Sequence, residues 1–257
     1  MLVDAAPEGL RARSKSGAFA DGYLDDEESR WRIGVPNESL AAPLLADIED
    51  LVGLALTTGW RQCGYVPFHG AGVANGNRCA MICAHSGGGK STLTAALVRR
   101  GWRTLGDDKL LLKVVDGRPT VSALVKTFNL HPQTRAWFPE VGDLELLQTY
   151  SAWTDKRRLA VETVWSEAMI GSAIPTHFVE LDRSGVHAGI CVSQLAPADI
   201  LPRMLRHIVI PSDDRVARAT LKIVAAAAAA LRGLCITIGK HAYRDPNCLD
   251  ALEAALR

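Results

Sequence analysis

The stretch "CAHSGGGKSTLTAALVRRGWRTLGDDKLLL", Cys83 to Leu112, constrains this 257-residue chain more than any other. Three glycines run straight into Lys-Ser-Thr, and one helix-length later Asp107 and Asp108 stand side by side. A glycine-rich turn between a strand and a helix lets successive backbone N–H groups point inward, because no Cβ obstructs the curl. The N-terminus of the following helix adds the positive end of its dipole. Such a cradle suits a dense anion, and the lysine and hydroxyl that follow it suit the tail of a nucleoside triphosphate. His85, Ser86, Gly87, Gly88, Gly89, Lys90, Ser91 and Thr92 are therefore the expected nucleotide-binding residues. Lys90 would reach the β- and γ-phosphates, Ser91 would meet Mg²⁺, and Thr92 would neighbour the α-phosphate. ATP and Mg²⁺ are the expected cofactors. In the pattern G-x-x-x-x-G-K-[ST] the first position is here Ala84, which predicts a strained or shifted turn if that residue must adopt a positive φ.

The flanks read as an α/β protein. Arg78–Ala84 is a strand that delivers the chain into the glycines, and a helix runs from Ser91 to Arg100, stopped by Gly101. Upstream, "NESLAAPLLADIEDLVGLALTTGW" predicts a helix over 37–60, capped by Asn37 or Ser39. Two short strands then surround the Asn75-Gly76-Asn77 turn. Downstream, "WRTLG" is a short strand ending at the two aspartates, and Asp116-Gly117 turns a hairpin. The segment 126–172 shows no clear period. Strands follow at 176–183, 188–195 and 234–239, with helices over 197–209, over 213–232 and from Pro246 onward. Strands alternating with helices, interrupted by hairpins, predict a mixed central sheet. Residues 1–28, polar and rich in Gly and Asp, are expected to be loosely ordered or edge structure, and 29–257 to form a single domain.

Composition narrows the partners. Lys and Arg total 29 against 28 acids, so no global field draws the chain to nucleic acid or anionic lipid. No apolar run approaches the roughly 18 residues of a membrane span, and the N-terminus lacks a secretory h-region. Six cysteines without C-x-x-C spacing read as buried free thiols, and the expected location is cytoplasmic. The run "IVAAAAAAL" at 223–231 reads as a tightly packed helix in which alanine lets a neighbour approach.

"SGGGKST" by itself also resembles the loop of ABC-transporter ATPases, but no LSGGQ-like signature and no later apolar strand ending Asp-Glu occur here. The position of the acids is more informative. Asp107 follows Lys90 by 17 residues, on the next strand, and His69 in "FHGAGV" precedes the lysine by 21. His-Gly on a strand, a hairpin, the glycine loop, a helix ending "RG" and then "GDD" resemble HPr kinase/phosphorylase, closely over about 66–115. The chain thus resembles the HPr-kinase-related, PEP-carboxykinase-like P-loop group, whose small members phosphorylate serine hydroxyls, some on lasso-peptide precursors and others on small molecules. Carried over, the resemblance implies the HPr kinase C-terminal-domain fold with Asp108 as the base. It also implies Asp107 as a metal or hydrogen-bond partner and His69 as the group that orients the pair. Only 68 residues precede His69, and no downstream Glu and Arg-rich signature is recognisable. HPr itself is therefore not the expected acceptor.

The expected activity is phosphoryl transfer from ATP to an alcohol, foremost a serine hydroxyl of a peptide or small protein. A small-molecule acceptor and a nucleotide-binding regulator without transfer stand as alternatives. Lys126 and the cluster Lys156, Arg157, Arg158 are candidates for clamping phosphate or an acidic substrate, or else a solvated loop. Arg203, Arg206 and His207 read as surface groups on one helix. Phe128, Trp137 and Phe138 are core or cleft wall. The resemblance also leaves room for a homo-oligomer, with the alanine run as a contact surface.

Overall fold

Two chain crossovers between sheets create the site, and local sequence sets up both. The computed structural model describes residues 2–6, 9–14, 17–24, 29–37, 45–85, 87–124, 126–151, 154–182, 189–211, 213–239, 242–243 and 245–257. At the N-terminus, strands β1 (Leu2–Ala6), β2 (Gly9–Arg13), β3 (Phe19–Leu24) and β4 (Ser29–Gly34) form an antiparallel meander. The first three strands fall in the segment expected to be loosely ordered or edge structure, of which residues 2–6, 9–14 and 17–24 are described. Asp21 anchors the meander, accepting from Arg11 at 2.7 Å and Arg32 at 2.9 Å, and these guanidiniums hold its carboxyl below the usual range. Helix α1 (Leu45–Gln62) packs on β3 and β4 through the buried Leu51. It runs two residues further than expected. Asn37 lies outside it, and Ser39 falls outside the described residues.

From there the chain alternates between two sheets. Strand β5 (Val66–His69) belongs to one and β6 (Ala71–Asn75) to the other, with Gly70 at the corner. The predicted Asn75–Asn77 turn joins β6 to β7 (Arg78–Ala84), and β7 leads through the glycines into α2 (Lys90–Arg99). Gly101, at φ 89°, closes that helix. Strand β8 (Arg103–Gly106) returns beside β6, and the hairpin of β9 (Lys109–Val115) and β10 (Arg118–Ala123) turns at Asp116-Gly117 as expected.

In the illegible middle, β11 (Thr127–Leu130), β12 (Thr149–Ser151) and β13 (Thr154–Ala160) form a small antiparallel sheet, and among the described residues four short 3₁₀ turns lie between and after these strands. The two-residue β14 (Ser172–Ala173) pairs with β10. Then come β15 (His177–Asp182), β16 (Ile190–Leu195), α3 (Pro197–Leu205), α4 (Asp214–Ala230), β17 (Arg232–Ile238) and α5 (Pro246–Ala255). Local chemistry explains the last two helix starts. Asp213 accepts from Val216 N–H at 2.8 Å, and Asp245 accepts from Asn247 N–H at 2.9 Å with Pro246 in the first turn.

The main sheet is six-stranded and mixed, in the order β16-β17-β15-β7-β6-β8. β17, β15 and β7 run parallel, and their neighbours on both sides run antiparallel. Both faces are covered, so β7 reads as a nearly continuous apolar run. Ala80, Ile82 and Ala84 face a core with α2, α5 and the β11 region. Cys79, Met81 and Cys83 face α3, α4 and the second sheet, of order β14-β10-β9-β5. The alanine run lies in α4, where Val224, Ala227 and Ala228 are buried against this chain's own α3 and hairpin. The six cysteines are free as expected, but Cys63 and Cys191 are exposed rather than buried. Among the described residues, no helix is long and apolar enough to cross a membrane.

Candidate active site

The glycine loop leaves β7 at Ala84. That alanine is the last residue of the strand, and it is not among the residues with positive φ, so the anticipated strain does not arise. Its methyl instead abuts Gly88, where an added Cβ would come within 2.7 Å of it and 2.9 Å of the His85 carbonyl. Gly88 N–H donates to that carbonyl at 2.9 Å, tightening the turn. Gly89 caps α2 in the left-handed region (φ 97°), without a side-chain cap. The first intrahelical bond runs from Leu93 N–H to the Gly89 carbonyl at 2.9 Å. Amides before it are the unpaired donors every helix presents at its start. Ser86 lies outside the described residues.

The acids arrive by a second local device. Thr104 is fully buried, its hydroxyl donates to the Gly72 carbonyl at 2.9 Å, and Gly106 N–H donates back to the hydroxyl at 3.0 Å. Gly106 has φ 113°, which a residue with a side chain adopts only with strain. Asp107 and Asp108 therefore sit on the corner where the chain leaves β8 for β9. The corner at His69-Gly70 stacks against it: Gly70 N–H donates to the Asp108 carbonyl at 3.1 Å, and His69 pairs with Lys109 in register.

These two corners meet the lysine of the loop. Lys90 Nζ lies 3.1 Å from His69 Nε2 and donates to the Ala84 carbonyl at 3.2 Å. His69 Nδ1 lies 3.3 Å from Asp108 Oδ1. An ammonium has donors only, so the His69 nitrogen facing it is the lone-pair nitrogen, and the proton resides on Nδ1, toward Asp108. Burial lowers the pKa of His69 although Asp108 opposes the shift, in keeping with a neutral ring. Burial likewise lowers that of Lys90, with Asp108 the main opposing charge. His207, whose carbonyl accepts from His69 N–H at 2.8 Å, is pushed down to about 4 by burial and then by the nearby His69 and Lys90.

Asp107 is 2% exposed, and its carboxyl is pushed up to about 6. Burial is the main cause and Asp108 the second; Asn129 N–H, at 3.0 Å, and the Ser91 hydroxyl oppose them. Mg²⁺ takes oxygen ligands, usually one or two carboxylates completed by phosphate oxygens and water. Asp107 with Ser91 in hydrogen-bond contact, Asp108 alongside, and Asn129 Oδ1 buried without a partner make a donor set of that kind. Among the described residues, no group of three or more His, Cys, Asp or Glu could hold a metal by itself.

Gly87 through Thr92 and Asp108 line one cavity of about 150 Å³. His85 is exposed and is not part of its wall. The expected basic cluster lies on a strand, not a loop, and divides its work. Lys156 lines the cavity, Arg157 bonds to the Thr149 hydroxyl, and Arg158 holds Glu49 through two bonds of 2.6 and 2.8 Å. Lys126 is exposed and lies apart from the cavity wall. Phe128 and Phe138 are core, whereas Trp137 is cavity wall. Arg203 is committed to Glu180, with Arg206 at 3.9 Å from the same carboxylate. The wall residues that escaped sequence reasoning include Asn129, His131 and Tyr243. For Asn129 a signal exists, since it alternates with the buried Phe128 and Leu130. Tyr243 carries none, although its hydroxyl crowds Gly89, 2.9 Å from where a Cβ would stand.

No protein-family model matches the chain, and no curated protein does. Among solved structures, it is similar to the Hpr(Ser) kinase/phosphatase from Coxiella burnetii at 13% identity, over 74% of this chain and 92% of that one, with a TM-score of 0.39. A likeness that distant carries no chemistry, and the functional reading rests on the loop and the acids themselves.

Proposed function

We propose that the chain is an ATP- and Mg²⁺-dependent phosphotransferase whose acceptor is an alcohol, foremost a serine hydroxyl of a peptide or small protein. One observation carries this reading: a lysine at the start of a glycine-capped helix is linked through a single histidine to a carboxylate on the same cavity wall. Phosphoryl transfer asks for an aligned donor, charge compensation at the transferred group and a carboxylate near the incoming hydroxyl. Here the loop amides and the start of α2 would hold the triphosphate tail of ATP. Lys90 would exchange its contact with the Ala84 carbonyl for a γ-phosphate oxygen.

Asp107 and Ser91 would hold Mg²⁺, which when bound supplies compensating charge for the phosphate oxygens. Asp108 takes the proton of the acceptor hydroxyl as the new O–P bond forms and the bond to the ADP oxygen breaks. His69 keeps Asp108 in place from the far side and leaves its carboxylate free to face the acceptor. Lys156 lines the same cavity and would add positive charge beside the transferred group. Trp137 and Tyr243, with ring centroids 5.7 Å apart, offer aromatic faces for the base.

The test is mass spectrometry of peptide and metabolite extracts incubated with Mg-ATP and the protein. The expected result is an acceptor gaining one phosphate, with none formed by Lys90→Ala. Asp108→Asn should reduce transfer by about 10²–10⁴-fold while nucleotide binding survives. Unchanged transfer by Asp108→Asn would remove the base assignment, and absence of nucleotide binding by the native chain would remove the whole reading.

A further inference from the structure

A second polar cavity lies at the opposite ends of the strands that carry the glycine loop. β7 and β15 both start there and run parallel toward the loop. At about 3.3 Å per residue, roughly 20 Å of strand separates the two places. The cavity encloses about 570 Å³, inside the roughly 300–1,000 Å³ of small-molecule pockets. Arg78, Arg118, Arg232 and Arg257 line it, together with His177 and Asn77. Among the described residues no aspartate or glutamate is part of its wall, although acids and bases nearly balance over the chain as a whole. An adjoining cavity shares Asn77, Arg78 and Ile174, adds Arg103, and again has no acid in its wall among the described residues.

The state of these side chains matters more than their number. Arg78 stacks over Trp102 at 5.2 Å and lies in the field of Glu253. Arg118, Arg232 and Arg257 make no side-chain ion pair among the described residues. His177, 3% exposed, has Nδ1 2.9 Å from the Thr176 hydroxyl, while its Nε2 is buried without a partner. Its register partner on β17 is Arg232. Like charges gathered around a concavity repel one another, and an anion seated among them relieves that repulsion.

We infer that this arginine-lined cavity is a second, non-catalytic site that binds a small phosphoryl-bearing anion. The guanidinium fork matches phosphate oxygens two at a time, and the Asn77 side chain adds a neutral donor. The bounded volume suits a compact ligand; an extended polyanion needs a continuous basic track with aromatic stacking platforms. Because the site and the glycine loop lie at opposite ends of the same strands, both can be filled at once.

Isothermal titration of pyrophosphate at moderate salt tests this. The full chain carrying Lys90→Ala should retain saturable binding, which separates this site from the loop whatever the loop itself binds. In that same Lys90→Ala chain, the double replacement Arg118→Ala/Arg232→Ala, at exposed positions, should weaken pyrophosphate binding at least tenfold and keep the thermal unfolding profile. Sulfate, of lower charge, should bind more weakly than pyrophosphate. Loss of binding in the Lys90→Ala chain, undiminished binding in the double arginine variant, or equal affinity for sulfate would each overturn the inference. A single-stranded oligonucleotide that displaced pyrophosphate at lower concentration would also overturn it, in favour of nucleic acid.

Discussion

At the scale of single residues, Asp107 carries an unusual cost. Its carboxyl is buried beside another acid, and its pKa rises from 3.8 to about 6. Between those values the folded chain binds a proton that the unfolded chain has released, so this group's contribution to stability is largest at low pH and fades as pH rises through about 6. At about 1.36 kcal/mol per unit, the loss approaches roughly 3 kcal/mol at neutral pH. Asp107→Asn keeps an oxygen for the Asn129 amide and removes the charge. It should therefore stabilise the protein at pH 7 by up to that amount and leave stability unchanged at pH 4. Urea titrations of both forms at pH 4, 5, 6 and 7 measure this, and parallel curves for the two would contradict it. The same variant should lose Mg²⁺-dependent nucleotide affinity, so a gain in stability accompanies a loss of function. His69 calls for a different test. His69→Ala should lower kcat by about tenfold or more with little change in nucleotide affinity, because it acts through Asp108 rather than on the phosphates.

At the scale of elements, the strand–loop–helix unit was the most legible part of the chain. Strand β7 and the helix end at Gly101 follow from contiguous residues: an apolar run, glycines, then helix formers. The loop's tolerance of Ala84 was not legible, since only the folded turn shows that the positive φ values fall on Gly87 and Gly89. The close approach at Gly88 makes a prediction. Gly88→Ala places a methyl 2.7 Å from the Ala84 methyl, so the turn must open. A destabilisation of about 1–3 kcal/mol is expected from overpacking, together with at least tenfold weaker nucleotide binding. Thermal melts and nucleotide titration read the two effects separately. The stretch 126–172 resisted reading for a physical reason. Its strands are three to seven residues long, and short 3₁₀ turns interrupt any period. The N-terminal meander was left undecided for a related reason. Its strands are held by pairing with one another and with α1, and the sequence there shows no alternation strong enough to announce it.

At the scale of the whole molecule, stability rests on the two cores flanking the six-stranded sheet, not on surface ion pairs. Phe178 is fully buried between β15 and the α3–α4 layer. Phe178→Ala should cost about 3–5 kcal/mol in chemical denaturation. Glu49→Ala breaks the two-bond contact with Arg158, yet it should cost under about 1 kcal/mol because the carboxylate is about half exposed. The reverse ranking would mean that α1 and its contacts, rather than the sheet, limit unfolding.

By itself the sequence determined the elements built from neighbouring residues: the glycine turn, the helix it starts, the hairpins at Gly76 and Gly117, and the acids placed one helix-length past Lys90. Backbone conformation and periodicity are local properties, and they are written in consecutive positions. Only the tertiary structure decided that two chain corners stack and join Lys90, His69 and Asp108 in a row, that Asn129, Lys156 and Tyr243 close the cavity, and that four arginines from distant segments gather at the sheet's other end. Those arrangements depend on strand order and register between segments tens of residues apart, and no local pattern encodes them.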